Sequence, residues 1–237
     1  MTVTVVIPSR LGSTRLPQKA LADLGGAPMI VRVWEQARRS AASRVLVVTE
    51  DTAIAEAILA VGGEVRLTGP ARNGTERVAG VAPELDGDVV VNVQGDEPFV
   101  EPELITRLAE HVRPDRPIVT AATPLLEDVG NPARVKVWTR EDGLARGFSR
   151  RPIPEGGPYW LHLGIYAFYR PLLPTLVALP PSEWELAESL EQLRWLHAGY
   201  PITVVPTSAA APGIDTPEDL ARARAAWPQF NSLRGVP

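Results

Sequence analysis

Three fixed cations, Arg10, Arg15 and Lys19, fall within ten residues of one another in Pro8-Ser9-Arg10-Leu11-Gly12-Ser13-Thr14-Arg15-Leu16-Pro17-Gln18-Lys19, and the next acid is Asp23. Gly and Pro break the segment, so it is a loop rather than a helix. A basic, Gly-containing loop at the carboxyl end of a first strand is where an α/β sheet holds phosphate. A solvated charged loop fits the same residues. A second stretch, Val91-Asn92-Val93-Gln94-Gly95-Asp96-Glu97-Pro98, sets Gln94 and Asp96 at the end of another strand, with Gly95 for the turn and Pro98 to stop a helix. A carboxylate there suits Mg²⁺, a hard cation that takes one or two carboxylates beside substrate phosphates and water. Asp96 is the favoured ligand, with capping a turn as its plainer role; Glu97 competes with it, or else faces away and pairs locally. Asp215 precedes a helix that Thr216 can cap, which frees Asp215 to point at the same edge as a second ligand.

Other residues carry weaker signals. Asn73-Gly74-Thr75-Glu76-Arg77 leads into a helix, and its first N–H groups with Arg77 suit a polar ring or an anion; a simple helix start fits equally. His162 opens an apolar strand, where it is either structural or, beside a sugar site, a hydrogen-bond donor. Lys19 and Lys136 are the only lysines against 22 arginines. A compact ammonium suits places that a planar guanidinium does not fit, so both lysines mark candidate special positions.

The elements that must position these groups follow from periodicity. Thr2–Ile7, Arg44–Thr49, Glu64–Thr68, Asp88–Val93 and Ile118–Ala122 read as short apolar strands. Between them, Pro28–Ala37, a helix capped by Asp51 or Thr52 and ended by Gly62-Gly63, Gly74–Leu85 and Glu101–Val112 have helical spacing. That alternation predicts an α/β fold with a doubly wound, mostly parallel sheet. After Asn131 the pattern changes. Val135–Trp138, Leu144–Phe148 and His162–Tyr169 follow as strands without helices between them, which predicts a small antiparallel insertion within 131–200. Glu185–His197 reads as one helix, Ile202–Thr207 as a strand, and Thr216-Pro217-Glu218-Asp219 as the start of a last helix. The tail beyond Pro228 is expected to fray.

Composition removes several classes. The 237 residues suffice for a sizeable core, at 45% hydrophobic content. A net charge of −4 argues against nucleic acid as a partner. The absence of cysteine removes disulfides, thiol nucleophiles and Cys-ligated zinc. No apolar run approaches the roughly 18 residues of a membrane span, so no membrane association is expected. The N-terminus enters a strand directly, without a basic n-region, and the cytoplasm is the expected compartment. His111, His162 and His197 form no HExxH, and neither GxxxxGK[ST] nor GxGxxG occurs. A Walker-type NTPase and a Rossmann dehydrogenase are both unsupported.

Taken together, the motifs resemble the CMP-KDO synthetases, the 3-deoxy-manno-octulosonate cytidylyltransferases. The resemblance rests on Val5 to Lys19, Gly74 to Arg77 and Val91 to Pro98. It continues through Asn131-Pro132 with Val135-Lys136-Val137, Phe148-Ser149-Arg150, His162 to Tyr166, Leu190-Glu191-Gln192-Leu193-Arg194, and Asp215 to Leu220. It runs in order from residue 3 to about 225. It implies a single nucleotidyltransferase domain over 1–237, Rossmann-like and similar to glycosyltransferase-A folds. The implied reaction transfers CMP from CTP to the anomeric hydroxyl of 3-deoxy-D-manno-octulosonate (KDO), with Mg²⁺ as cofactor and pyrophosphate as the other product, for lipopolysaccharide biosynthesis. Carried over residue by residue, Arg10 and Lys19 bind phosphate and act with Asp96 in catalysis; Arg15 reaches either the phosphates or the sugar acid. Asn73, Gly74 and Arg77 shape the base pocket, and Asp96 and Asp215 hold the metal. Gln94, Arg150, His162, Glu191 and Gln192 contact the sugar acid, Arg150 through its fork on the substrate carboxylate. The resemblance also implies a homodimer joined through the inserted region.

The sequence departs from the family in four places. Asn73 stands where Ser is usual, Leu161 where a basic residue often precedes His162, and Ala145-Arg146-Gly147 replaces an aromatic-containing approach to Phe-Ser-Arg. The loop from Arg151 to Trp160 is short. The last three surround the expected sugar site, so they bear on the acceptor, and the same transfer to another ulosonic or sialic-type acid is the alternative. An Asp-x-Asp glycosyltransferase is disfavoured, because the corresponding residues are Gln94-Gly95-Asp96. The joint presence of Lys19, Asp96 and Asp215 disfavours a catalytically silent nucleotide-binding module.

Overall fold

In the computed structural model, which describes residues 2–13, 15–152, 160–208 and 213–233, strands and helices alternate as the apolar spacing requires. The chain runs β1 (Val3–Pro8), a small hairpin β2 (Asp23–Leu24) and β3 (Ala27–Pro28), α1 (Met29–Arg38), β4 (Arg44–Thr49), α2 (Thr52–Leu59) and β5 (Glu64–Leu67). It continues with α3 (Gly74–Val81), β6 (Val89–Asn92), α4 (Pro102–His111), β7 (Ile118–Pro124), β8 (Lys136–Thr139), β9 (Ala145–Ser149) and β10 (Trp160–Tyr169). The last elements are α5 (Leu173–Ala178), α6 (Glu183–Glu188), α7 (Gln192–His197), β11 (Ile202–Pro206) and α8 (Pro217–Leu233).

All six residues of β1 are buried, which requires cover on both faces. Val3, Val5 and Ile7 pack into a core shared with α1, α2 and α4. Val6 points the other way, into a core shared with α3, α5 and α7. Period-two alternation in one strand thus feeds the two layers of a doubly wound sheet. The strand order is β11-β7-β10-β6-β1-β4-β5, with the β8–β9 hairpin beside β10. β1 pairs in parallel with β4 and β6, β4 with β5, and β11 with β7. The carboxyl ends of six strands therefore lie along one edge.

β10 is the exception, and it changes the expected insertion. It lies between β6 and β7 and runs antiparallel to both. Part of the 131–200 stretch is therefore a central strand of the main sheet, and only β8 and β9 stand outside the seven-strand path. Its reversal brings the start of β10, including His162, to the edge where β6 ends. Two further expectations change. The helix over Glu185–His197 is two helices, broken where Ser189 turns left-handed at φ 52. The tail beyond Pro228 stays helical to Leu233, because Phe230 packs against Phe99 and Trp227. The short loop before Trp160 lies mostly outside the described residues.

Candidate functional site

β1 ends at Pro8, and the basic loop turns away over the sheet edge. Asp51 fastens it there: its carboxylate accepts the Leu11 N–H at 2.8 Å. The sequence marked Asp51 as a helix cap, but at the start of α2 it makes no capping bond. Lys19 reaches back across the edge. Its ammonium donates to Asp96 Oδ2 at 2.6 Å and Asp215 Oδ1 at 2.9 Å, and Arg15 pairs with Asp215 Oδ2 at 3.0 Å. Burial opposes the Lys19 charge, but Asp96 and Asp215 outweigh it and raise its pKa. Asp215 is free to do this because Thr216 and Asp219 cap α8. The Thr216 hydroxyl accepts from Asp219 N–H at 3.1 Å, and Asp219 accepts from Thr216 N–H at 2.9 Å. The Ile214 N–H, donating to the Asp96 carbonyl at 2.9 Å, sets the two acids side by side. Glu97 turns elsewhere. Burial, with the nearby charges of Asp96 and Asp215, pushes its carboxyl up to about 8, so its charge is suppressed while Asp96 faces the cations.

The start of α3 closes the other side of this cleft. Asn73 caps it, accepting the Glu76 N–H at 2.8 Å. Gly74 admits no side chain without displacement: a Cβ there would lie 3.0 Å from Gln94 Oε1 and 3.1 Å from the Pro8 ring. Arg77 is buried, and its guanidinium binds Thr68 Oγ1 at 2.5 Å, the Gly69 carbonyl at 3.1 Å and Glu50 at 3.0 Å. It braces the segment after β5 against the helix. Arg10, Arg15, Lys19, Asn73, Gly74, Arg77, Gln94, Asp96 and Asp215 thus line one cleft of about 380 Å³. Its chemistry is that of a polyanion site: the three cations of the Arg10–Lys19 loop beside Arg72 and Arg77, helix N–H groups and two convergent carboxylates. Among the described residues no three His, Asp or Glu side chains group as a self-sufficient metal cage.

The remaining predicted residues lie beside this cleft rather than in it. Glu191, just before α7, accepts from Asn73 Nδ2 at 3.1 Å. Burial raises its pKa, while bonds from Thr75 and Asn73 act to lower it. Gln192 is buried at the first position of α7. His162 packs on the rings of Phe148 and Tyr166, and its Nε2 lies 3.0 Å from the Thr120 hydroxyl. That hydroxyl donates to the Leu163 and Ile165 carbonyls at the irregularity in β10, so His162 Nε2–H is the donor and Nδ1 the acceptor. Burial drops its pKa to about 3, which keeps the ring neutral. His162 and Glu97 line a separate cavity of about 460 Å³, with Arg134, Leu161 and Phe230. Arg150 spends its fork on the carbonyls of Glu188, Pro132 and Ser189.

Lys136 has a structural role. Wholly buried, its ammonium donates to the carbonyls of Asn131, Arg134 and Arg150 at 2.7–2.8 Å. Three donors meet three acceptors around a point, a geometry that suits Lys and not Arg. The sequence does not mark Thr75, Thr120 or Glu188 as partners of the site, and it marks Asp51 only as a cap. Each acts by holding another site residue, and no local pattern marks such partners.

The comparisons agree with this geometry. The cytidylyltransferase family pattern matches residues 4–203. The 3-deoxy-manno-octulosonate cytidylyltransferase of Anaeromyxobacter dehalogenans is 48% identical over 94% of this chain and 96% of its own. That of Chlorobium limicola is 45% identical over 93% and 95%. A solved CMP:2-keto-3-deoxy-manno-octonic acid synthetase, complexed with CTP, superposes with a TM-score of 0.93 at 38% identity, covering 97% of this chain and 99% of that one. With a polyanion cleft at the sheet edge and likeness along its whole length, the chain belongs to the cytidylyltransferase family, among the 3-deoxy-manno-octulosonate cytidylyltransferases.

Proposed function

We propose that the protein transfers CMP from CTP to the anomeric hydroxyl of KDO. The observation that carries this reading is the single cleft in which the Arg10–Lys19 loop, the start of α3 and the Asp96–Asp215 pair converge. In the reaction the sugar hydroxyl oxygen bonds to the α-phosphorus, the bond between the α-phosphorus and the bridging oxygen breaks, and pyrophosphate leaves; the hydroxyl proton passes to solvent. Arg10, Arg15 and Lys19 hold the triphosphate and offset its charge. Asn73 and Gly74 border the cytosine, with Arg77 bracing that wall. Asp96 and Asp215 fit Mg²⁺, since their oxygens already converge on one cationic centre, the Lys19 ammonium. Bound there, Mg²⁺ would neutralise phosphate charge.

On the acceptor side, Gln94, His162, Glu191 and Gln192 orient the sugar acid, His162 as a neutral ring. Arg150 takes the substrate carboxylate once it releases part of its hold on the backbone carbonyls. A cytoplasmic homodimer that supplies lipopolysaccharide synthesis completes this reading; separately, among the described residues no helix is long and apolar enough to cross a membrane. The direct test is a pyrophosphate-release screen of CTP and the other nucleoside triphosphates against a panel of sugar acids with Mg²⁺. CTP with KDO is expected to turn over fastest. Faster transfer to a sialic-type acid would overturn the acceptor assignment, and preference for another triphosphate would overturn the base.

A further inference from the structure

We infer that Asn73 is a positioning residue for the acceptor, fixing the Glu191 carboxylate and so joining the nucleotide end of the cleft to the sugar-acid end. The inference rests on the function proposed above. Asn73 has an amide whose two ends cannot be exchanged. Its Oδ1 accepts the Glu76 N–H at 2.8 Å, which an NH₂ group cannot do. Its Nδ2 is therefore the atom that lies 3.1 Å from Glu191 Oε1. The helix cap thus sets the orientation of a hydrogen bond made 118 residues along the chain.

Glu191 takes its orientation from neutral donors, while the Arg194 charge favours its carboxylate without bonding to it. Arg194, the nearest cation in sequence, is committed to Glu185 through two hydrogen bonds of 2.7 and 2.5 Å. No ion pair to Glu191 forms among the described residues, and its partners are the Asn73 amide and the Thr75 hydroxyl. Thr75 in turn meets Asn92 at 3.5 Å, and Asn92 holds Gln94 at 3.1 Å. A polar chain therefore runs from Asn73 through Glu191, Thr75 and Asn92 to Gln94, around the start of α3. A half-buried carboxylate held by neutral donors adopts the geometry those donors impose. Removing one of them frees Glu191 to rotate away from the acceptor.

Two substitutions separate this role from helix capping. Asn73→Ser keeps a good N-cap but lacks the amide donor and the reach. Asn73→Asp also keeps the cap, and turns a carboxylate oxygen toward Glu191. Both are expected to melt within about 2 °C of wild type. Asn73→Ser should raise the KM for the sugar acid about tenfold, the scale of a hydrogen bond to a charged group, and Asn73→Asp should raise it further. Because Ser at 73 still caps α3 and so keeps the Gly74 wall of the cleft in place, Asn73→Ser should raise the KM for CTP several-fold less than the KM for the sugar acid. In a Glu191→Gln background, Asn73→Ser should add less than its effect in wild type. Equal rises in both KM values, no rise in the acceptor KM, or full additivity with Glu191→Gln would overturn the assignment. Wild-type turnover with KDO in the same assay keeps a failure here distinct from a failure of the proposed function.

Discussion

Lys19 occupies the one point toward which Asp96 and Asp215 both aim, at 2.6 and 2.9 Å. Two carboxylates so placed repel unless positive charge lies between them, and Arg15 adds a second cation on Asp215. The ammonium therefore sits where the proposed function would place a divalent cation. On the proposed function, the triphosphate would be the anion that receives the ammonium. Lys19→Met should accordingly have two separable effects. Pyrophosphate release should fall by roughly 10²–10³, the scale for losing a preorganised charge on a developing anion. Without CTP, Mn²⁺ should bind the variant more tightly than wild type, because two acids lose their internal cation. Titration followed by Mn²⁺ paramagnetic resonance checks this, and equal or weaker binding in the variant would contradict it. The charges themselves were legible in the sequence, as were both acids. Their meeting on Lys19 was not, because the second contact spans 196 residues.

At the scale of elements, the position of Asp215 depends on how α8 docks. Leu220, Ala223 and Trp227 of that helix pack with Leu24 and Met29 and with Ile214, the residue before Asp215. Trp227 meets Phe99 and Phe230 ring to ring, and the Arg32 guanidinium lies 5.2 Å from its centre. Gly25 belongs to the same joint: it sits at φ 61, and a Cβ would come within 2.2 Å of the Trp227 ring. Trp227→Ala should cost roughly 3–5 kcal/mol in urea unfolding. Because it loosens the segment that carries Ile214 and Asp215, it should also weaken CTP binding measured calorimetrically well below the melting point. Unchanged CTP affinity would show that the Ile214–Asp96 hydrogen bond alone places the acid. The start of α8 was readable from Thr216, Pro217 and the acids of its first turn. Its length was not, since Pro228 signals an end that aromatic packing overrides. The break at Ser189 was hidden for a similar reason: the left-handed turn there is made by Ser, without the Gly that usually announces one.

For the whole molecule, the alternation of strands and helices gave the doubly wound class correctly, because each apolar strand needs cover on both faces wherever it sits. The order of strands was less accessible. Nothing local to Trp160–Tyr169 says that it enters the sheet between β6 and β7, and that placement is what partly buries His162 against Phe148, Tyr166 and Thr120. The burial has a consequence for the stability of the entire fold. His162 titrates near 3 in the folded chain against an ordinary 6.5, because desolvation disfavours the imidazolium. Between those values the unfolded chain binds a proton that the folded chain refuses, so stability should fall as the pH drops from 6.5 toward 3. Glu97 acts in the opposite sense. Its carboxyl is raised to about 8 from 4.5, so its share of stability is full below 4.5 and is lost as the pH rises toward 8. Urea unfolding of the metal-free protein across pH 4 to 8.5 should therefore give an intermediate optimum. His162→Gln, whose amide can still donate to Thr120, should flatten the acid limb and leave the alkaline limb in place, while Glu97→Gln should do the reverse. An acid limb of unchanged slope in His162→Gln would mean that other groups carry it, and that the imidazole takes up its proton without unfolding the chain.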